Sequence, residues 1–265
     1  MKTIVWNDNR IKSICVLTLM IILMLYISIT LSSQLHHITK DIKDMYLCYF
    51  SYTFINESFS SSKIIISALN TILIVSIFAD NLSLELEKNA AYIFTRTKKI
   101  KKWLTNKLIY ILCSIIKIQF CQFIIAFGYF GILGYRINNV SEFIQVILKL
   151  FILIVSTQYI AVIIANLVSL KTNQVIGYIV SISLIIINLI IFYSIYFTKR
   201  VLIGMIPFTQ YMITIQDTTL VNRSVRYFSH YIKNYYFIHA LIFNIVFIII
   251  LFVLGRRSIE KHEFY

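Results

Sequence analysis

Long, unbroken apolar runs constrain this chain more than any other feature of its sequence. Each is close to the ~20 residues that a helix needs to cross a bilayer. Lipid leaves the backbone to satisfy its own hydrogen bonds, so only helices or a closed barrel can span it. A barrel requires short alternating segments, and these runs do not alternate. The sequence predicts an all-α membrane protein with six transmembrane helices, at residues 14–31, 64–82, 108–133, 143–170, 175–197 and 236–254.

Composition excludes a soluble domain. Apolar residues make up 59% of the 265 residues and charged residues only 14%, too few for a polar shell. The first run, 14–31, follows a basic stretch as a signal peptide would. It is too long for a signal core and no small-residue cleavage site follows it, so we expect an uncleaved span in a single domain covering 1–265.

The distribution of charge predicts the orientation. The net charge is +14, and the cations lie mainly between the apolar runs, where they attract anionic lipid headgroups. We therefore expect membrane lipids and no nucleic acid as partners. The densest lysine cluster lies in the 83–107 loop, which places this loop and both termini in the cytoplasm. The loops 32–63 and 198–234 are then extracellular, as in a multi-pass protein of a cell membrane, with a bacterial plasma membrane as the expected location.

Motifs for catalysis and metal binding are absent from the sequence. The chain has five histidines and four cysteines, but no H-E-x-x-H, G-x-S-x-G or C-x-x-C pattern. It also lacks the G-x-x-x-x-G-K-[ST] phosphate loop of ATPases. We expect no catalytic residue, no metal site and no cofactor on this polypeptide, which argues against an enzyme.

The 83–107 loop has an amphipathic pattern. Ala90 and Phe94 share one helical face, and Ile100, Trp103 and Leu104 share another. This predicts two short helices on the cytoplasmic surface. The pattern alone leaves two interpretations open, a docking surface for a partner and a solvated segment that lies against the lipid.

A lysine and two glutamines fall inside the third predicted span, namely Lys117, Gln119 and Gln122. A lysine at mid-helix costs about 2.5–3.5 kcal/mol on insertion scales. We therefore expect Lys117 to face protein, at a transport pathway or a subunit interface, rather than lipid. The alternative is a long side chain that reaches an interface, which is the better explanation for Lys149 near its span's outer end.

Two loops resemble those of ABC-2 type permeases. The 83–107 loop has an acidic start, an aromatic-Thr-Arg centre, a lysine run, and then a tryptophan, as in the first cytoplasmic loop of that family. The long outer loop has Pro207 and Phe208 in the sequence Met-Ile-Pro-Phe-Thr-Gln, similar to the family's proline-bearing motif there. The order of spans and loops is also similar over nearly the whole chain. One departure is Ala90-Ala91, where relatives often carry a glycine.

The resemblance implies a half-size permease that pairs with a second permease copy or a paralogue and binds a cytoplasmic ABC ATPase subunit. The ATPase-docking residues implied in this chain are Glu85, Glu87, Lys88, Phe94, Thr95, Arg96 and Trp103. The function implied is ATP-driven export of an amphipathic substrate such as a peptide, lipid or toxin. The alternative is a membrane immunity or scaffold protein that binds a partner without moving cargo.

Overall fold

The computed structural model describes residues 18–19, 40–51, 61–86, 100–196, 200–223, 228 and 230–261. The longer helices are α1 (Ile42–Ser51), α2 (Ser61–Phe78), α3 (Ile100–Ile132), α4 (Val140–Ser169), α5 (Gln174–Ile195) and α6 (Phe237–Lys261). Residues 81–86 are helical again after a turn at 79–80. A helical turn at Arg200–Ile203 and two 3-10 turns, Pro207–Thr209 and Ile213–Ile215, lie between α5 and α6. Within the described residues the fold is all-helical.

Five segments are long and apolar enough to cross a membrane. They are Ala68–Leu86, Lys102–Ile132, Val140–Ser169, Gln174–Ile195 and Phe237–Arg257. They coincide with the second to sixth predicted spans, so the prediction of multiple transmembrane helices is confirmed for these five. Of the predicted first span, 14–31, only residues 18–19 are described. The span at 14–31, which would bring the total to six, and the side on which the termini lie stay predictions.

Helix α4 is the centre of the bundle, since it packs against each of the other five long helices. From Leu153 onward, side chains on every side of it are buried, whereas Ile144 and Leu148 in its first half are exposed. Asn139 caps its start by accepting hydrogen bonds from the backbone N–H groups of Ser141 and Glu142 at 3.1 and 3.3 Å. By contrast, α5 and α6 bury only one face each, and large apolar side chains cover the outward faces. This distribution suits helices that contact lipid.

The bundle has two distinct ends. We call the end formed by residues 79–86, 100–107, 170–173 and 255–257 the inner end, because the charge pattern predicts that it faces the cytoplasm. We call the end formed by 40–51, 133–139, 200–223, 228 and 230–236 the outer end. Backbone N–H groups connect parts of the outer end that are distant in sequence, as in the hydrogen bond from Ile42 to the Arg136 carbonyl, at 3.0 Å.

The turn between α3 and α4 requires a glycine. Gly134 has φ +86°, a conformation that residues with a Cβ rarely adopt. Its N–H donates to the Gly131 carbonyl at 3.0 Å, and the Tyr135 N–H donates to the Phe130 carbonyl at 3.1 Å. These bonds satisfy carbonyls at the end of α3 and reverse the chain toward α4.

The 32–63 segment, which the sequence predicts as a loop, contains a helix. Its residues Ile42–Ser51 form α1, which is buried almost throughout. Lys43 is buried because its ammonium group pairs with the Glu142 carboxylate at 2.6 Å. The Tyr46 hydroxyl donates to the Phe123 carbonyl at 2.5 Å, and the Phe50 ring stacks on that of Phe123 with centroids 4.2 Å apart. Polar side chains of α1 can therefore be buried because they pair or hydrogen-bond with groups on α3 and α4.

Candidate functional site

The predicted cytoplasmic loop has both of its described ends fixed at the inner end of the bundle. Glu85, at the end of the 81–86 helix, forms an ion pair with Lys107 on α3. The two side chains are 24% and 34% exposed, so the pair contributes at most about 1 kcal/mol to stability. Its geometric effect matters more. It holds together the described residues that precede and follow 87–99.

Trp103 lies on the first turn of α3, where it packs partly buried against the core. Leu104 beside it is fully buried. The prediction of a separate short helix around Trp103 and Leu104 is therefore wrong, because these residues belong to the first turns of α3, which continues into the span. The Trp103 indole N–H is buried but donates to no acceptor within the described structure. An unsatisfied buried N–H is rare and marks a place where a ligand or partner could supply an acceptor.

The remaining predicted docking residues, Glu87, Lys88, Phe94, Thr95 and Arg96, lie outside the described residues. The structure therefore brings only Glu85 and Trp103 of that set to the inner end. Their role in binding an ATPase stays a prediction.

Sequence reasoning missed a groove next to Trp103. It has a volume of about 510 Å³, and the described residues that line it are Lys102, Trp103, Asn106, Lys107 and Tyr110. Lys102, Asn106 and Tyr110 follow one another every four positions, as do Trp103 and Lys107 beside them, so the five lie along one side of α3. The spacing is readable in the sequence, but an open groove depends on what the neighbouring segments leave uncovered.

A second feature missed by sequence reasoning is Asn166, which joins the inner end of α2 to α4. Its amide nitrogen donates to the carbonyls of Phe78 and Val162 at 2.6 and 2.9 Å. Its side-chain oxygen accepts from the Leu82 N–H at 3.0 Å. Ser169 extends this joint by donating to the Ala79 carbonyl at 3.1 Å. The backbone groups that the helix break at 79–80 leaves without helical partners are thereby hydrogen-bonded. The segment that carries Glu85 is attached to α4 in this way.

The three polar residues of the third span do not form one site. Gln119 is fully buried, and neither its amide nitrogen nor its oxygen finds a partner in the described region. Gln122 is buried and donates to the Tyr49 hydroxyl at 3.3 Å. Lys117 is exposed, so within this chain it does not face the bundle as expected. A pathway or subunit-interface role for these residues stays a prediction.

The proline-bearing motif lies at the outer end. Pro207 begins a 3-10 turn in which Phe208 is buried. The next residue but one, Gln210, donates to the Ile206 and Gly204 carbonyls at 2.8 and 3.0 Å and accepts from the Tyr235 hydroxyl. The loop is therefore an ordered part of the fold.

Two outer segments meet at Ser51 and Thr214. The Thr214 hydroxyl donates to the Ser51 carbonyl at 2.7 Å, and the Thr214 N–H donates to the Ser51 hydroxyl at 3.2 Å. Arg223 also holds this region together. Its guanidinium donates to the carbonyls of Thr214 and Phe228 at 2.7 and 2.8 Å. Burial lowers the pKa of this guanidinium, although nearby Tyr231 opposes the change.

The fold and the inner-end geometry define a class, namely all-helical chains with several spans suited to a membrane. Comparison with protein-family models, with curated proteins and with solved structures found no match to this chain. The likeness to ABC-2 permeases therefore depends on the residues and loop order of the chain itself.

Proposed function

We propose that this chain is a membrane-spanning permease subunit of an ABC exporter, driven by ATP hydrolysis on a separate cytoplasmic subunit. The single observation that carries the proposal is the Glu85–Lys107 pair. It ties both ends of the candidate docking loop to transmembrane helices. A force applied to that loop by a partner would act on α3 directly.

The route from the loop to the rest of the bundle supports the same proposal. The segment bearing Glu85 is hydrogen-bonded to Asn166 through the Leu82 N–H. Asn166 belongs to α4, which contacts all the other long helices. A displacement of the loop would thus reach the central helix through two short connections, one at Lys107 and one at Asn166. Packed helices transmit such shifts because they do not deform continuously.

The transported substrate is proposed by class. An amphipathic peptide, lipid or toxin fits the apolar helices and the absence of a charged funnel in the sequence. A second permease copy or a paralogue would complete the pathway. The non-transporting alternative, an immunity or scaffold protein, needs no ATPase. Binding of an ATPase therefore distinguishes the two functions.

The test is a detergent pull-down of the chain co-expressed with the ATPase encoded nearest to its gene. We expect the wild type to retain the ATPase and the Glu85→Lys/Glu87→Lys variant to lose it, because reversed charges would repel the surface that the acidic loop start contacts. Lys171→Glu is the matched control, a charge reversal at an exposed position of the same end. It should retain the ATPase.

A charge-swap variant separates docking from folding. Glu85→Lys/Lys107→Glu preserves an ion pair at this position but moves the acid to α3. If Glu85 contacts the ATPase, this variant elutes as a folded species and still loses the partner. Absence of any ATPase from the wild-type sample would contradict the proposal and favour the immunity or scaffold function.

A further inference from the structure

The inner-end groove along the first turns of α3 has the chemistry of an anion site. Of its lining residues, Lys102 is exposed and forms no ion pair with any residue that the structure describes. The Trp103 indole N–H is buried without an acceptor in the described structure. Asn106 adds an exposed amide. No carboxylate is present among the five lining residues, so donors outnumber acceptors.

Lys107 completes the lining but its charge is already compensated. It pairs with Glu85, and its ammonium group also lies 5.6 Å from the centre of the Tyr110 ring. The uncompensated positive charge of the groove is therefore that of Lys102. A single anionic group with several acceptor oxygens would accept from Lys102 and Asn106 together.

An exposed apolar stripe continues from this groove along α3. Lys102, Ile109 and Ile116 recur every seven residues, which places them on one side of the helix two turns apart. Ile109 is 49% and Ile116 38% exposed, and Phe120 one turn further on is 58% exposed. A polar anion site followed by an apolar surface matches the two parts of a phospholipid. Tryptophan and tyrosine beside the site are the residues that membrane interfaces favour.

We propose that this groove binds the phosphate of an anionic phospholipid of the inner leaflet, with its acyl chains along Ile109, Ile116 and Phe120. The headgroup phosphate accepts from Lys102 and Asn106, beside the Trp103 ring. Glu85 limits the affinity, because it neutralises Lys107 at the edge of the same groove. The site is independent of the ATPase, and a lipid bound there would hold the start of α3 at the membrane surface.

The test uses the fluorescence of Trp103. The chain has two tryptophans, so Trp6→Phe leaves Trp103 as the only tryptophan, and excitation at the red edge of its absorption avoids the tyrosines. The full chain is reconstituted into phosphatidylcholine vesicles that contain a small fraction of brominated phosphatidylglycerol or, in parallel, of brominated phosphatidylcholine. We expect the anionic lipid to quench Trp103 more strongly, with a relative association constant about fivefold higher, as expected for one lysine near an anionic headgroup.

Two variants should change the preference for the anionic lipid in opposite directions. Lys102→Gln should remove the preference for the anionic lipid, whereas Glu85→Gln should increase it by releasing Lys107. Lys171→Gln removes a lysine from the neighbouring turn of the same end and should leave the preference unchanged. Elution of each variant as a single folded species, with unchanged circular dichroism, guards against misfolding.

Three outcomes would overturn the proposal. Equal quenching by the two lipids excludes a headgroup site. A preference that millimolar inorganic phosphate abolishes identifies a free-phosphate site. No lipid preference, together with loss of the ATPase from the pull-down on Lys102→Gln, identifies the groove as a protein-docking surface. The lipid measurement uses the chain alone, so its failure is distinct from a failure of the proposed transport function.

Discussion

At the scale of single residues, one cation organises the outer loop between α5 and α6. The Arg223 guanidinium donates to the carbonyls of Thr214, Gln216 and Phe228 and lies 4.6 Å from the centre of the Tyr231 ring. A loop without regular structure leaves carbonyls in need of donors, and a planar group with five N–H bonds can serve three at once. The loop that carries Pro207 and Phe208 thus depends on a residue that the sequence motif does not contain.

Replacement of Arg223 by lysine should therefore destabilise the fold although the charge is kept. Lysine lacks the planar fork, and at least one buried carbonyl would lose its donor, at a cost of about 1–3 kcal/mol. The measurement is the apparent midpoint of thermal unfolding in detergent. Arg136→Lys, at an exposed side chain of the same outer end, should leave the midpoint unchanged. Equal midpoints for Arg223→Lys and the wild type would show that the fork is dispensable.

At the scale of elements, the spans were readable from the sequence because hydropathy and length are local properties. The burial of α1 was not, because it depends on Lys43 meeting Glu142, a residue 99 positions away. Lys117 shows a different limit of prediction from the sequence. Gln119 is buried, and residues two apart on a helix do not share a face, so Lys117 must be exposed once Gln119 faces the core. The sequence shows that both are polar but does not tell which of them is buried.

The candidate site was likewise predictable only in part. Glu85 and Trp103 were identified by their place in a loop pattern. The pairing of Glu85 with Lys107, and the groove lined by Lys102, Asn106 and Tyr110, require the register between the 81–86 helix and α3. Asn166 was missed because one asparagine in an apolar run has no pattern. Asn166 is important because it hydrogen-bonds the backbone groups that the helix break at 79–80 leaves without helical partners.

A close contact between α4 and α5 provides a test of packing at this scale. A Cβ added to Gly177 on α5 would lie 2.0 Å from the Ser169 hydroxyl and 2.5 Å from the Ala165 carbonyl oxygen. Gly177→Ala should therefore push α5 away from α4, at a cost of about 1–3 kcal/mol, seen as a lower unfolding midpoint. Gly128→Ala on α3 meets nothing within 4 Å and serves as the control.

The double variant Gly177→Ala/Ser169→Ala sharpens this test. It removes the Ser169 hydroxyl, which is the atom nearest to the added Cβ. The Ala165 carbonyl oxygen remains, and as a backbone atom it cannot move aside alone. We expect recovery of only part of the lost stability. A Gly177→Ala variant as stable as Gly128→Ala would contradict the close approach of the two helices.

At the scale of the whole molecule, the number of spans decides where the ends of the chain lie. The five described spans alternate in direction, so residues 170–173 and 255–257 share the inner end while 230–236 lie at the outer end. An additional span at 14–31 would return the N-terminus to the inner side. Without it the two termini would face opposite sides. A docking loop for an ATPase is useful only if the inner end faces the cytoplasm, so topology bears on the proposed function as well.

Single-cysteine labelling in intact cells resolves this point. With the four native cysteines replaced by serine, a membrane-impermeant maleimide should label Lys233→Cys at once, because this position is exposed at the outer end. Lys171→Cys and Lys2→Cys should react only after the membrane is permeabilised. Labelling of Lys2→Cys from outside, with the other two as expected, would mean that 14–31 does not span. Labelling of Lys171→Cys instead of Lys233→Cys would mean that the orientation is inverted, and the 83–107 loop could then meet no cytoplasmic ATPase.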